Sequence, residues 1–270
     1  MAIQTVDGVI AGLQAPRPFS KAVGGTMVAG RPISYWGVGG RPAAGSWDST
    51  LNGVTLSSSS SNVAGQLPFS DPASGNTYLA RLQGQATIAG CLMLCDRLWH
   101  NGNINITSTS PQAITTPTWP LRDENGASSG KGVYVGVEVS AAVGAGTPTL
   151  TLGYTNSDGT AGRTGTNVLA TAASPVANTF YEIGLQSGDV GVRSVESFTL
   201  SATWTSGTIN LVAYRILAML ELTGAQTPNA IDAITGGFPR MYNGSVPFFM
   251  FIPQTTTTSN IVGHAVYAQG

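Results

Sequence analysis

Charge is scarce in this sequence. Of its 270 residues only 9% are Asp, Glu, Lys or Arg, against about 25% in an ordinary soluble domain. A protein that exposes its whole surface to water stays soluble by interspersing charges of both signs, so the shortage implies that part of this surface is covered by other protein. Lysine is scarcer still, with Lys21 and Lys131 standing against ten arginines. Interfaces favour Arg and exclude Lys, whose compact ammonium is costlier to desolvate, although GC-rich codon usage gives the same bias.

Other absences narrow the function. The net charge is −1 and no stretch clusters Lys and Arg, so direct nucleic-acid binding, which needs cations to displace counterions from phosphates, is not expected. No apolar run approaches the roughly 18 residues of a membrane span. The opening MAIQTVDGVIAGLQAPRPFSK lacks the charged and apolar regions of a secretory signal, and the product is expected in the cytosol, with no membrane partner. There are two cysteines, Cys91 and Cys95, in CLMLCDRLW. On a strand this spacing puts both on one face roughly 13 Å apart, too far for a disulfide. Zinc would need two further ligands, and the histidines are His100 and His264 alone. The thiols are therefore expected as buried small hydrophobes, and neither a metal nor another cofactor is expected.

Gly, Ser, Thr, Asn and Pro fill the place of the missing charge. Over residues 1–75 Gly and Pro recur every few positions, ending in the serine tract 57–61. This composition reads as an extended arm. It is not that of a solvated linker, because Phe19, Met27, Ile33, Tyr35, Trp36 and Trp47 are apolar anchors that need somewhere to dock. Before the arm, Val6, Ile10 and Leu13 share helical spacing behind a Thr5 or Asp7 cap, with Pro16 and Pro18 as the stop.

From Asn76 onward the pattern is that of strands bounded by turn residues. TYLARLQGQA is followed by TIAGCLMLCDRLW, nearly continuous in apolar residues and therefore central; Ile104 and Ile106 suggest a short strand after it. Val133, Val135, Val137 and Val139 alternate, which puts four β-branched side chains on one sheet face. A hairpin is written over 148–155 and 163–171 with its tip at Asp158 and Gly159, and 179–186 adds a strand. A second hairpin turns at Ser206 and Gly207; its return run 208–222 favours strand over helix through Ile209 and Val212. A short helix is expected over 229–235, then strands in VPFFMFIP and NIVGHAVYA. The fold class is thus all-β: an antiparallel sandwich, jelly-roll-like, over 76–270, with an extended N-terminal arm over 1–75.

Chemistry is hard to assemble from these residues. Asp96 and His100 with a distant serine would imitate a hydrolase triad, but no GxSxG elbow exists and Arg97 offers Asp96 an ordinary ion pair. Glu138, Glu182, Glu196 and Glu221 could supply a glycosidase pair only if two of them shared a cleft. NSDGT at 156–160 lacks the spaced acids of a calcium loop, and GVGG at 37–40 has neither the strand nor the helix of a phosphate cradle. The tryptophans 36, 47, 99, 119 and 204 could form a sugar-stacking platform, but core or interface packing accounts for most of them. No catalytic residue is assigned.

The order of segments is informative in itself: GLQAPRPFSKA, SGNTYLARLQGQATIAGCLMLCDRLWHNG, LTLGYTNSDGTAGRTG and GDVGVRSVESFTLSAT. Over residues 10–222 this arrangement resembles virion structural proteins of tailed bacteriophages, particularly those that decorate or cement the capsid. The resemblance implies a non-enzymatic β-sandwich on the capsid exterior, a dimer or trimer, bound to the major capsid protein by many modest contacts acting together. On that reading Phe19, Tyr35, Trp36 and Trp47 anchor the arm on neighbouring subunits, with Arg17, Arg31 and Arg41 as charge-assisted donors beside them. Alternatively the aromatics pack as a lid on their own sandwich. If the arm is external, removing residues 1–50 should leave a folded β domain that no longer joins its assembly. A tail or adsorption component binding cell-surface glycan is the other functional reading.

Overall fold

The computed structural model describes residue 3 and residues 5–59, 61–224 and 226–270. After α1 (Val6–Gly12) come β1 (Arg17–Ala22), β2 (Ile33–Ser34), β3 (Gly40–Arg41) and β4 (Val54–Thr55). The chain continues through β5 (Thr77–Ala86), β6 (Gly90–His100), β7 (Gln112–Ala113), β8 (Tyr134–Ala141), β9 (Leu150–Asn156), β10 (Arg163–Asn167), β11 (Phe180–Gly184), β12 (Val192–Leu200) and β13 (Thr208–Leu222). It closes with β14 (Asn229–Asp232), α2 (Ala233–Gly236), β15 (Arg240–Met241), β16 (Pro247–Pro253) and β17 (Asn260–Gln269). Six strands form one sheet in the order β14-β5-β17-β1-β3, with β15 also on β5. Eleven form the other, β2-β16-β6-β13-β8-β11-β10-β9-β12-β7, with β4 also on β6. The ladders are antiparallel throughout, as the hairpin signals predict.

Alternation along the strands decides which residues enter the core. The valines at 133, 135, 137 and 139 are all fully buried, and they pack with Leu150 and Leu152 of β9, Phe198 and Leu200 of β12, and Ile209 and Leu211 of β13. The large sheet therefore curls back so that β8 and β13 face β9 and β12. A second cluster lies between the two sheets, with Phe19, Leu79, Leu82 and Ile261 on one side and Leu92, Leu94, Leu220 and Phe251 on the other. The opposite face of β6 carries Met93 and Cys95 into a third cluster with Trp36, Phe248 and Met250. Register shifts in the β6–β13 ladder, between Ala213 and Tyr214 and between Ile216 and Ala218, let one long strand serve all three. Such a bulge reverses which residues face inward, so Ile209, Leu211 and Ala213 are followed inward by Leu220 and Leu222.

The N-terminal segment corrects one expectation. It is extended and poor in strand, but its docking place is this chain's own sheets. β1 lies inside the six-stranded sheet between β17 and β3, β2 pairs with β16, and β4 pairs with β6. Val23, Met27, Ile33, Tyr35, Leu67 and Phe69 all join the inter-sheet core. The abundance of glycine has a local cause: a Cβ on Gly45 would stand 2.4 Å from Trp36 Cε2, and one on Gly65 2.9 Å from its Cδ2. The indole is clamped between two backbone surfaces that tolerate no side chain.

Two smaller expectations also change. Residues 229–232 form an edge strand on β5, and the helix begins only at Ala233, where Asp232 accepts from the amides of Ile234 and Thr235 at 3.0 and 2.9 Å. Ile104 and Ile106 are buried but belong to no ladder: Ile104 lies in irregular chain and Ile106 opens a turn.

Candidate functional site

Polar groups gather on β6, where Asp96, Arg97 and His100 are buried. Arg97 Nη2 donates to Glu138 Oε2 at 2.7 Å, with both side chains fully buried. Its Nε donates to His100 Nδ1 at 3.1 Å, and its guanidinium lies 4.4 Å from the Trp36 ring centre and 5.3 Å from that of Phe248. Trp47 Nε1 donates to the same Glu138 oxygen at 2.5 Å. Next to this group Arg122 stands 3.5 Å from Asp96 and donates to the carbonyls of Leu56 and Arg97 at 2.9 and 3.2 Å. Asp96 also accepts from Val246 N at 2.8 Å and Ser245 Oγ at 3.2 Å.

These partners fix the chemistry. Burial, and then the charge of Arg97, pushes His100 down to about 2, so its ring is neutral and Nδ1 is occupied as an acceptor. Burial lowers Arg97 and Arg122, and the neighbouring carboxylates of Glu138 and Asp96 oppose it. Asp96 and Ser245 do meet, but His100 bonds to Arg97 and Asp96 faces Arg122, so no triad is assembled. The cluster ties Trp36, Trp47 and Leu56 of the N-terminal segment to β6 and β8. It is a clasp. Sequence reasoning missed the Arg97–Glu138 pair; its signal was a charge set within apolar stretches on each of two strands.

The residues expected to bind a partner divide into two sets. Phe19, Tyr35 and Trp36 are 1%, 1% and 0% exposed, and Phe19 packs on Phe249 with ring centres 4.3 Å apart; these are core. Trp47 is half-buried on Glu138. Arg31 is half-buried, stacked over Tyr181 at 5.4 Å and bonded to the Ala170 carbonyl at 3.1 Å. Arg17 is half-exposed and Arg41 exposed. The structure therefore brings the aromatics together inside this chain and leaves two arginines on its surface. Both cysteines are free: Cys95 is buried in the third cluster as expected, whereas Cys91 is only half-buried and packs against that cluster.

The outward-facing apolar side chains lie elsewhere. α1 forms where predicted, with Thr5 Oγ1 accepting from Gly8 N at 3.0 Å. Its stripe is turned outward: Val6, Ile10 and Leu13 are 67%, 61% and 46% exposed, and Ile234 on α2 is 87% exposed. Between these helices, over Ala80 and Arg81 of β5 and His264 and Val266 of β17, runs a groove of about 710 Å³. Its floor and walls are mainly aliphatic, with Arg81, Asp232 and His264 as the polar rim.

No protein family matches this chain by sequence, and no characterised protein does. Among solved structures, the VP2 subviral particle of infectious bursal disease virus aligns at 11% identity over 96% of this chain and 82% of that one, with a TM-score of 0.20. The Gx strain of that virus aligns at 10% identity over 95% and 82%, TM-score 0.17. Particles derived from the same virus align at 10% identity over 96% and 79%, TM-score 0.14. Scores this low carry no argument about fold or role.

Proposed function

We propose that this chain is a non-enzymatic structural subunit of a virus particle, decorating or cementing a tailed-phage capsid by contact with the major capsid protein and with copies of itself. The observation that carries the reading is where charge and apolar surface lie. Of the 12 basic and 13 acidic residues, Lys21, Asp96, Arg97, Arg122, Asp123, Glu138 and Arg215 are buried. The surface is therefore poorer in charge than the sequence suggests, while the exposed Val6, Leu13 and Ile234 line one groove and Ile10 is exposed beside it on α1. Clustered apolar side chains on a weakly charged surface are what an interface leaves exposed in the free subunit. The one His/Asp/Ser grouping anticipated in sequence is tied up in internal bonds.

Quantitative mass spectrometry of purified particles tests the assignment, and shell-level copy number is the expected result. Particles carrying the Ile10→Asp variant should retain the protein about tenfold less well, since a charge on the exposed apolar stripe of α1 would be desolvated without a partner in a contact. Recovery at the few copies of a tail part, unaffected by Ile10→Asp, would refute it.

A further inference from the structure

A second cleft, which shares no lining residue with the α1 groove, has a different chemistry. It is lined by β8, β11 and β13 together with Val168 just after β10 and Leu185 and Asp189 after β11, and has a volume of about 350 Å³. Its walls are mainly aliphatic (Val168, Leu185, Ile216), apart from the rings of Tyr134 and Tyr214 and the carboxylates of Glu182 and Asp189. The tyrosine ring centres are 6.2 Å apart; Tyr134 is 38% exposed and Tyr214 2%.

Glu182 is half-buried, and among the described residues no Lys, Arg or His forms an ion pair with it. Its partner is the Tyr214 hydroxyl, at 3.4 Å. Burial raises its carboxyl above the usual range, and Tyr214 offsets only part of that. The second carboxylate in the lining, Asp189, is saturated: it accepts from Arg163 Nε and Nη2 at 3.0 and 2.8 Å, from Tyr154 Oη at 2.6 Å and from Asn156 Nδ2 at 2.7 Å. Arg163 and Asp189 neutralise each other, so the cleft carries the one uncompensated negative charge of Glu182.

A carboxylate beside the exposed Tyr134 ring attracts a cation twice, by charge and by the quadrupole of that ring, with the buried Tyr214 holding the carboxylate through its hydroxyl. A sugar would require several donors and acceptors, and among the described residues the other polar side chains of this lining are Asp189, already saturated, and two phenols, one of them bonded to Glu182. An anion is repelled, and a single free carboxylate is too few ligands for a metal. We infer that the Tyr134–Glu182–Tyr214 cleft is a binding site for an organic monocation, a guanidinium or alkylammonium group. The group comes either from a small molecule or from an arginine or lysine of another chain. The site is independent of the α1 face.

Calorimetric titration of the full chain with ethylguanidinium and with tetramethylammonium tests the site, with acetate and methyl glucoside as the anionic and neutral controls. Saturable binding of at least one cation and of neither control is expected. Glu182→Gln should weaken it about tenfold or more and Tyr134→Ala severalfold, the scale of losing a charge pair or a cation–ring contact in a partly desolvated site. Because the Tyr134 ring is exposed, its variant keeps the test open if Glu182→Gln does not fold. A capped Gly-Arg-Gly peptide distinguishes the sources: tighter binding than ethylguanidinium assigns the cation to a protein side chain, and equal or weaker binding to a small molecule. Absence of saturable cation binding, binding unchanged in both variants, or methyl glucoside binding as tightly as the cations would overturn the site.

Discussion

Two buried cations show how single residues hold this fold. Arg97 bonds to Glu138 and His100 while stacked on Trp36. Arg97→Met leaves the Glu138 carboxylate buried without a counter-charge, with Trp47 Nε1 as its remaining donor, and should cost about 3–5 kcal/mol in urea denaturation, the scale for breaking a buried pair from one side. Replacing both, Arg97→Met with Glu138→Leu, should recover most of that loss, because the desolvation cost of two ions disappears with them. Lys21 differs in having carbonyl partners only: its Nζ donates to Tyr35 O at 2.7 Å, Val38 O at 3.0 Å and Ala43 O at 3.5 Å. Burial lowers its pKa from 10.5 to about 8. Above pH 8 the folded chain thus releases a proton that the unfolded chain still holds, and stability from this residue rises with pH, with a slope approaching about 1.4 kcal/mol per pH unit. Denaturation midpoints between pH 7.5 and 9 should show this rise in the wild type and not in Lys21→Met. At higher pH the buried tyrosines Tyr35 and Tyr267, whose pKa values burial raises, act in the opposite sense.

At the scale of elements, the strands with strict alternation or continuous apolar runs were legible in the sequence. β8 was, through its four valines, and so were β6 and β13. α1 was legible through spacing and cap, since both act over a single turn. The residues 229–232 were not, because the edge of β5 offered a ladder that outweighs a weak helical preference. The loops that hold Trp36 were misread for the same reason that they work. Glycine signals flexibility locally, yet Gly45 and Gly65 are rigid flooring for an indole. Gly45→Ala should therefore lower stability by about 1–3 kcal/mol, the usual cost of overpacking a filled site, and thermal unfolding should report it.

For the whole molecule, the N-terminal segment sets the expected behaviour on truncation. Removing residues 1–50 takes β1 out of the six-stranded sheet, where it separates β17 from β3. It also strips Phe19, Met27, Ile33, Tyr35 and Trp36 from two core clusters. The truncated chain should fail to fold cooperatively, seen as loss of the thermal transition and of dispersed amide resonances. That is the reverse of what an external arm would give. The buried Phe19, Tyr35 and Trp36 are thus structural, whereas Val6, Ile10 and Ile234 on α1 and α2 are exposed.

The sequence by itself determined the all-β class, the antiparallel hairpins, the capped helix and the unbridged state of the two cysteines. Each follows from short-range rules: period-two alternation, turn residues, a cap within one turn, the reach of a disulfide. Tertiary structure alone decided where the N-terminal segment docks, which charges lie inside and which carboxylate stands unpaired. Arg97 meets Glu138 across 41 residues and Glu182 meets Tyr214 across 32, and an aromatic anchor reads the same in sequence whether its partner is its own sheet or another chain. Burial and pairing over such separations depend on how the sheets stack, for which no local pattern in the chain is a signal.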